Sequence, residues 1–446
     1  MLRVLLVAWA IVLVAGVAAA AAISSGGNGG DAGPIRVGIL HSETGSLAIS
    51  EIPVIDATRM GIDDLNAHGG VLGRKIQVFE LDGKSDDNTF ARDARILIYQ
   101  DKVSVIFGCW TSACRKTVEP IVERAHNVLF YPLQYEGLED SPNVVYLGAA
   151  PNQQIIPAVK WFLDNVGPRF YLVGSDYIFP RAANAIIKDY LRLYGGKVVG
   201  EAYVPLGGAD FTGIVRQIKR DHPSVIFNTV NGASNIALFT ALHDAHVTAA
   251  HIPVVSFSIA EQEVKEISED IGTDALVGNY AVWDYFASLD TPQNLAFVKE
   301  FHARFGQGCS PDDPVEAAYI GVRLWGEAVR DAGSANPIRV LRQIGSESYD
   351  APEGMVYVDD ENRHLWKTTR IGQIMANGQF NVIWESEAIL HPVPFPPTRT
   401  TAQWVAFENG LYEKWHGWEA PPVPTSSPSS ALSHRMVMGG SGCQPM

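Results

Sequence analysis

The sequence predicts an α/β protein of two Rossmann-like lobes with parallel sheets. Three observations carry that expectation. Short apolar strands alternate with helix-length amphipathic stretches from Ile35 onward, the same rhythm restarts after Pro151, and the chain has 446 residues. Strands separated by helical segments make βαβ units and hence parallel sheets. A single core rarely grows past ~250–300 residues, so this length calls for two.

Element by element, Ile35 to Leu40 reads as a strand and Ile55 to Asn66 as a helix stopped by Gly69 and Gly70. A strand at Ile76 to Leu81, a helix from Asn88 to Gln100 and a strand at Val103 to Phe107 follow. The first unit ends with a helix from Ser112 to Arg124 and a strand at Val128 to Tyr131. After Pro151, strands are expected at Phe170 to Val173, Val198 to Val204, Val225 to Asn228 and Pro253 to Ser256. Helices at Ala182 to Leu193, Phe211 to Lys219 and Ser234 to His243 separate them. Three more helices, Asn294 to Phe305, Pro314 to Ala332 and Pro337 to Ile344, precede a β-rich stretch from Gly354 to Trp384. The expected division is 35–150 plus 284–350 for one lobe and 151–283 plus 351–390 for the other. Residues 391–420 form a proline- and aromatic-rich extension that packs on the body. Residues 421–446, rich in Pro, Ser and Gly, cannot bury enough apolar surface to order themselves.

The N-terminus reads as an address. Arg3, the apolar run Val4 to Ala22 and the small residues Ala18 to Ala22 have the order of a secretory signal over 1–22. An uncleaved anchor is the alternative, because the run approaches the ~20 residues that span a bilayer. The mature protein is therefore expected in the periplasm or another extracytoplasmic space. Against 34 basic residues stand 49 acidic ones, a net charge of −15. Such a surface repels phosphate backbones, which excludes nucleic acid as a partner. Cys109, Cys114, Cys309 and Cys443 are too few for a disulfide scaffold. They read as buried free thiols, with Cys109 and Cys114 too far apart to bridge if a helix carries them. No cluster has metal-ligand spacing, so no metal and no cofactor are expected.

Ligands of open α/β sheets bind beyond the carboxyl ends of the strands, which directs attention to six loops. After the third strand, Ser112 stands where a helix begins, where free backbone N–H groups attract a carbonyl or carboxylate oxygen. A plain capping serine is the competing reading. Trp110 beside it is either a flat ligand wall or a core residue. The fourth strand ends in an unusually polar and aromatic segment, Phe130 to Gly137, containing Tyr131 and Gln134. In the second lobe, Asp176 could accept N–H donors or cap a helix, and Tyr177 could cover a small ligand.

Ordered motifs add a resemblance. Gly38 to Gly45, Phe107 to Ser112, Phe130 to Gly137, Ser141-Pro-Asn143, Gly148 to Gln154 and Gly174 to Tyr177 resemble the urea- and short-chain-amide-binding proteins of ABC importers. So do Phe227 to Gly232, Asp290 to Pro292, Asp313 to Tyr319, Asp350 to Gly354 and His364 to Trp366, so the likeness runs from Ile35 to Glu385. It implies the type I periplasmic binding fold, two lobes hinged around an interlobe cleft, with ABC permease subunits as membrane partners. It also implies that Trp110, Thr111 and Ser112, Tyr131 to Gln134, Tyr177, Val230 and Asn231, and the loop through Ser258 line the ligand. Urea, with one acceptor oxygen and four N–H donors, is the first candidate. Gln134, Asn231, Asp176 and tyrosine hydroxyls suit its nitrogens.

Three rivals frame that expectation. A branched-chain amino-acid binding protein would share the fold but need a carboxylate site and an acidic partner for the ammonium. An amide-sensing subunit of a signalling system would share fold and ligand, and only a partner would separate it. An amidohydrolase could be imagined from Cys109 or Cys114 with His126, but no spacing brings them together.

Overall fold

The computed structural model describes residues 33–421. The signal expected over 1–22 and all but the first residue of the tail expected over 421–446 lie outside them.

The first lobe is built on five strands: β1 (Ile35–His41), β2 (Ile76–Asp82), β3 (Ile106–Gly108), β4 (Leu129–Tyr131) and β5 (Val144–Tyr146). They lie in the order β2-β1-β3-β4-β5, every neighbouring pair parallel. Helices α1 (Ala48–Ala67), α2 (Asp87–Arg95) and α3 (Ser112–Arg124) connect the first four strands. Helix α1 begins at Ala48 rather than Ile55 and runs through Pro53, which from sequence argues for a helix boundary. Strand β3 begins at Ile106 rather than Val103, because the Val103 N–H turns back to the Leu97 carbonyl.

The second lobe repeats the scheme with α4 (Ile155–Asn165), β6 (Arg169–Ser175), α5 (Ile178–Tyr194), β7 (Lys197–Val204), α6 (Thr212–Asp221) and β8 (Val225–Thr229). It continues with α7 (Ser234–Asp244), β9 (Val254–Ser256), α8 (Glu261–Ile271) and β10 (Tyr280–Trp283). The chain then returns to the first lobe with α9 (Pro292–Phe305), α10 (Asp313–Ala332) and α11 (Pro337–Gln343). Helix α10 lies against α1, and glycine makes the approach possible. A Cβ on Gly61 would stand 3.0 Å from Val322, and one on Gly326 would stand 3.0 Å from Leu65.

A small antiparallel sheet follows, of β11 (Ser348–Ala351), β12 (Gly354–Val358) and β13 (Leu365–Trp366). Its residues Ala351, Val356, Val358 and Leu365 pack into the core of α10 and the first sheet. The sequence boundary at 351 therefore moves: residues 351–366, expected in the second lobe, pack on the first through these four side chains. Only β14 (Arg370–Ile374) and β15 (Phe380–Glu385) cross over, adding an antiparallel hairpin beside β10. The completed second sheet runs β15-β14-β10-β9-β8-β6-β7. Beyond it the extension carries α12 (Thr401–Trp415), with Trp404 fully buried in the second-lobe core.

Candidate ligand-binding cleft

Strand β3 ends at Gly108, where a Cβ would sit 2.3 Å from the Leu40 carbonyl oxygen. Only glycine lets the backbones of β1 and β3 come this close. Cys109 follows with a φ of 65°, in the left-handed region. That turn folds the chain back so that Cys109 and Cys114 are bridged, with α-carbons 5.8 Å apart. The expected free thiols are thus corrected: the turn, which a continuous helix would lack, brings the two sulfurs together. No described cysteine is free.

Inside that bridge lie Trp110, Thr111 and Ser112. Thr111, not Ser112, caps α3, its Oγ1 accepting from the Cys114 N–H at 3.0 Å. Ser112 is the first helical residue, and its hydroxyl donates to Glu136 Oε2 at 2.5 Å. The Ser112 hydroxyl proton is therefore committed, and the helix start offers only its backbone N–H groups. Arg115, one turn on and fully buried, donates to Ser112 Oγ at 3.1 Å, Glu136 Oε1 at 3.2 Å and Glu139 Oε1 at 2.8 Å. Burial disfavours its charge, but Glu139 and Glu136 more than offset this and hold the pKa well above the usual value. The guanidinium stacks over Tyr131 and Tyr135 with its carbon 4.9 Å and 4.5 Å from the ring centres. Tyr131 donates to the Trp110 carbonyl at 2.7 Å, which locks the two predicted walls together.

The second lobe brings Tyr177 to this group. Tyr177 is buried in one apolar cluster with the first-lobe residues Ala113 and Leu138, and burial pushes its hydroxyl pKa well up. Gln134 spans the cleft directly, donating through Nε2 to the Phe257 carbonyl at 2.8 Å. Ser258 is the next residue and is buried. Two further bonds join the lobes: Ser50 Oγ to Glu263 Oε1 at 2.6 Å, and the Ala233 N–H to the Ser46 carbonyl at 3.2 Å.

Two expected residues do not join. Asp176 is half-buried and held by Arg181 at 2.8 Å; it neither caps α5 nor turns to the cleft group. Asn231 donates through its side chain to the Thr229 carbonyl at 3.2 Å, within its own loop. Val230 beside it is buried, its N–H held by Asn228 Oδ1 at 2.9 Å. The sequence reading also missed participants. Arg115 and Glu136 carry the charge beneath the predicted loop, and a signal existed: charged residues inside segments otherwise apolar or aromatic. Gln154 donates to the Val282 carbonyl at 2.6 Å.

Among the buried polar atoms without a protein partner are Gln134 Oε1, Gln154 Oε1 and Ser258 Oγ, and the amide nitrogens of Gln134 and Gln154 share the Phe257 carbonyl next to Ser258. Buried polar atoms are nearly always paired, so these three are acceptors that a polar partner could satisfy. Two open concavities lie elsewhere. One is bordered by His126 and Asn143, which precede β4 and β5 at the amino ends of the strands, and the other by Arg59 and Glu80 at the edge strand β2. Among the described residues no group of His, Cys, Asp and Glu could hold a metal ion.

Comparison with known proteins supports a binding role for this architecture. A Leu/Ile/Val-binding protein homologue from Brucella melitensis is 23% identical over 347 residues, covering 76% of this chain and 87% of the relative. Limonene hydroxylase of Geobacillus stearothermophilus is 31% identical over 130 residues, a match that spans only 23% of its length. A solute-binding protein from Rhodopseudomonas palustris HaA2, solved with p-hydroxybenzoic acid, superposes with a TM-score of 0.72 at 22% identity, covering 80% of this chain and 98% of that one. A leucine-binding protein from Thermotoga maritima gives 0.69 at 18% identity, covering 79% and 98%. These neighbours share the type I periplasmic binding fold. The periplasmic binding protein domain family matches residues 35–401, most of the chain, and the chain belongs to that family.

Proposed function

We propose that this protein is the extracytoplasmic substrate-binding subunit of an ABC importer. It captures a small neutral amide, urea first, between its lobes and delivers it to membrane permease subunits without chemical change. The observation that carries this reading is how the charges beside the cleft are already used. Arg115 is held by Glu136 and Glu139, and Lys116 by Glu139 and Glu408. A ligand carboxylate would meet Glu136 and compete for cations that are already paired. Gln134 Oε1 and Ser258 Oγ are buried acceptors without partners, and the start of α3 supplies N–H donors. That is the complement of urea, whose oxygen and N–H groups each cost ~1–3 kcal/mol if buried unpaired. Trp110, Tyr131 and Tyr177 exclude water and larger solutes.

The test is calorimetry of the purified protein against urea, formamide and acetamide, with leucine and 4-hydroxybenzoate as the ligands its relatives suggest. An amide binds and neither acid does, and no ammonia is released above a heat-killed control. Binding of leucine with no response to any amide would replace this reading with the amino-acid one.

A further inference from the structure

We infer that the C-terminal extension is a positioning element of the cleft, tying the first-lobe loop of Ser112 and the second-lobe loop of Tyr177 into one unit. The inference rests on the cleft assignment above and reaches a segment that assignment leaves unused.

The path of the chain carries it. After β15, His391 and Val393 are bonded to Asn152 at 2.8 Å and 2.7 Å. The Pro394 carbonyl then accepts from the Leu138 N–H at 2.8 Å, two residues beyond Glu136. A Cβ on Gly137 would lie 2.0 Å from that carbonyl oxygen, so the glycine is what admits the extension here. Arg399 next forks onto Asp189 of α5 at 2.6 Å and 3.0 Å, and Trp404 anchors in the second-lobe core. From α12, Glu408 reaches back to Lys116 of α3 at 3.1 Å. A buried relay therefore runs from the cleft to the extension: Ser112, Glu136, Arg115, Glu139, Lys116, Glu408.

The end of the extension closes the circuit. Helix α5 has no side-chain cap at Tyr177. Its first N–H, that of Ile178, is satisfied by the Trp418 carbonyl at 2.9 Å, and the Ala420 N–H bonds the Asp176 carbonyl at 2.9 Å. Glu419 thus pairs with Tyr177 as a short antiparallel bridge. The Lys116 ammonium sits 5.1 Å above the Trp418 ring, so one segment touches the supports of both loops. An orphan helix N–H is costly when buried, and here the extension supplies the acceptor that the local sequence lacks.

The experiment compares two shortened chains with the full one. Ending after Pro421 keeps every contact above; ending after His416 removes Trp418 to Ala420 while leaving α12 and Trp404 in place. Both lack Cys443, so their difference isolates the bridging residues. In ligand-free protein, hydrogen exchange over 108–114 and 174–180 rises about fivefold only in the shorter chain, while its melting temperature stays within about 3 °C. With urea, its dissociation rate rises about fivefold at an unchanged association rate. Glu408→Gln, which loosens the same relay without shortening the chain, moves exchange over 108–114 in the same direction and serves if the shorter chain fails to fold. Equal exchange over 108–114 in folded variants and full chain overturns the inference. A full chain that binds no amide would instead defeat the ligand assignment, and the exchange result would still decide the role of the extension.

Discussion

Gln134 and Phe257 are 123 residues apart in sequence, yet the Gln134 amide nitrogen donates to the Phe257 carbonyl at 2.8 Å across the two lobes. The other end of the same amide, Oε1, is buried with no protein partner. One side chain therefore both joins the lobes and offers an acceptor to whatever lies between them. Gln134→Ala removes both functions, and a lost buried partner costs ~1–3 kcal/mol, about fivefold to 150-fold in affinity. Calorimetry with urea shows this loss while circular dichroism shows a native spectrum. Unchanged affinity would place the ligand away from Gln134.

Arg115 supports the first-lobe side of the cleft from beneath Tyr131. Its guanidinium satisfies Glu136 and Glu139 in full burial, so Arg115→Met leaves Glu136 without its cation and Glu139 with Lys116 alone. Breaking a buried pair from one side costs ~3–5 kcal/mol. Denaturation by guanidinium chloride measures this; urea is unsuitable because it is the proposed ligand. A loss below about 1 kcal/mol would mean that Lys116 alone holds the carboxylates.

The Cys109–Cys114 bridge encloses Trp110, Thr111 and Ser112. Changing both cysteines to serine frees that short loop in the unfolded chain, worth about 2 kcal/mol in the chain-entropy account. The same change loosens the loop in the native protein, so urea affinity falls along with the denaturation midpoint. A lower midpoint with full affinity would show that the bridge staples the fold without shaping the site.

What was legible in the sequence is what local pattern controls. Strands such as Ile35–His41 are apolar and end in small or polar loops, so the α/β alternation and the cleft loops could be read directly. Strand β5 has three residues, too few for periodicity, and α8 opens with Glu261, Gln262 and Glu263, all buried against the expectation for polar and charged side chains. Both were missed for those reasons. The sequence names candidate loops but not the bonds their residues make. That Ser112 serves Glu136, that Asp176 serves Arg181 and that Gln134 finds Phe257 depends on how elements pack. The disulfide turned on one backbone angle at Cys109, which no residue pattern announces.

Glu261 gives a pH test of the same packing. It opens α8, fully buried, with Oε1 accepting from the Ala287 N–H at 2.7 Å and Oε2 unpaired. Burial is the main cause that raises its pKa from 4.5 to about 8; backbone N–H groups oppose the shift, and Asp313 and Glu263 add to it. The native chain therefore keeps a proton that the unfolded chain releases over that window. Stability then falls as pH rises from about 4.5 to about 8, because the folded state binds more protons there. Below the window both states are protonated, and above it both are ionised, so the group contributes no slope. Glu263 and Asp312 face it and titrate in the same direction, so the wild-type curve alone cannot isolate it. Glu261→Gln keeps the acceptor for Ala287 and removes the titration. The melting temperature of the variant minus that of the wild type should climb steadily from pH 5 to pH 8 and then level off. Parallel curves across that range would mean that Glu261 is ionised in the folded protein and that burial does not govern it.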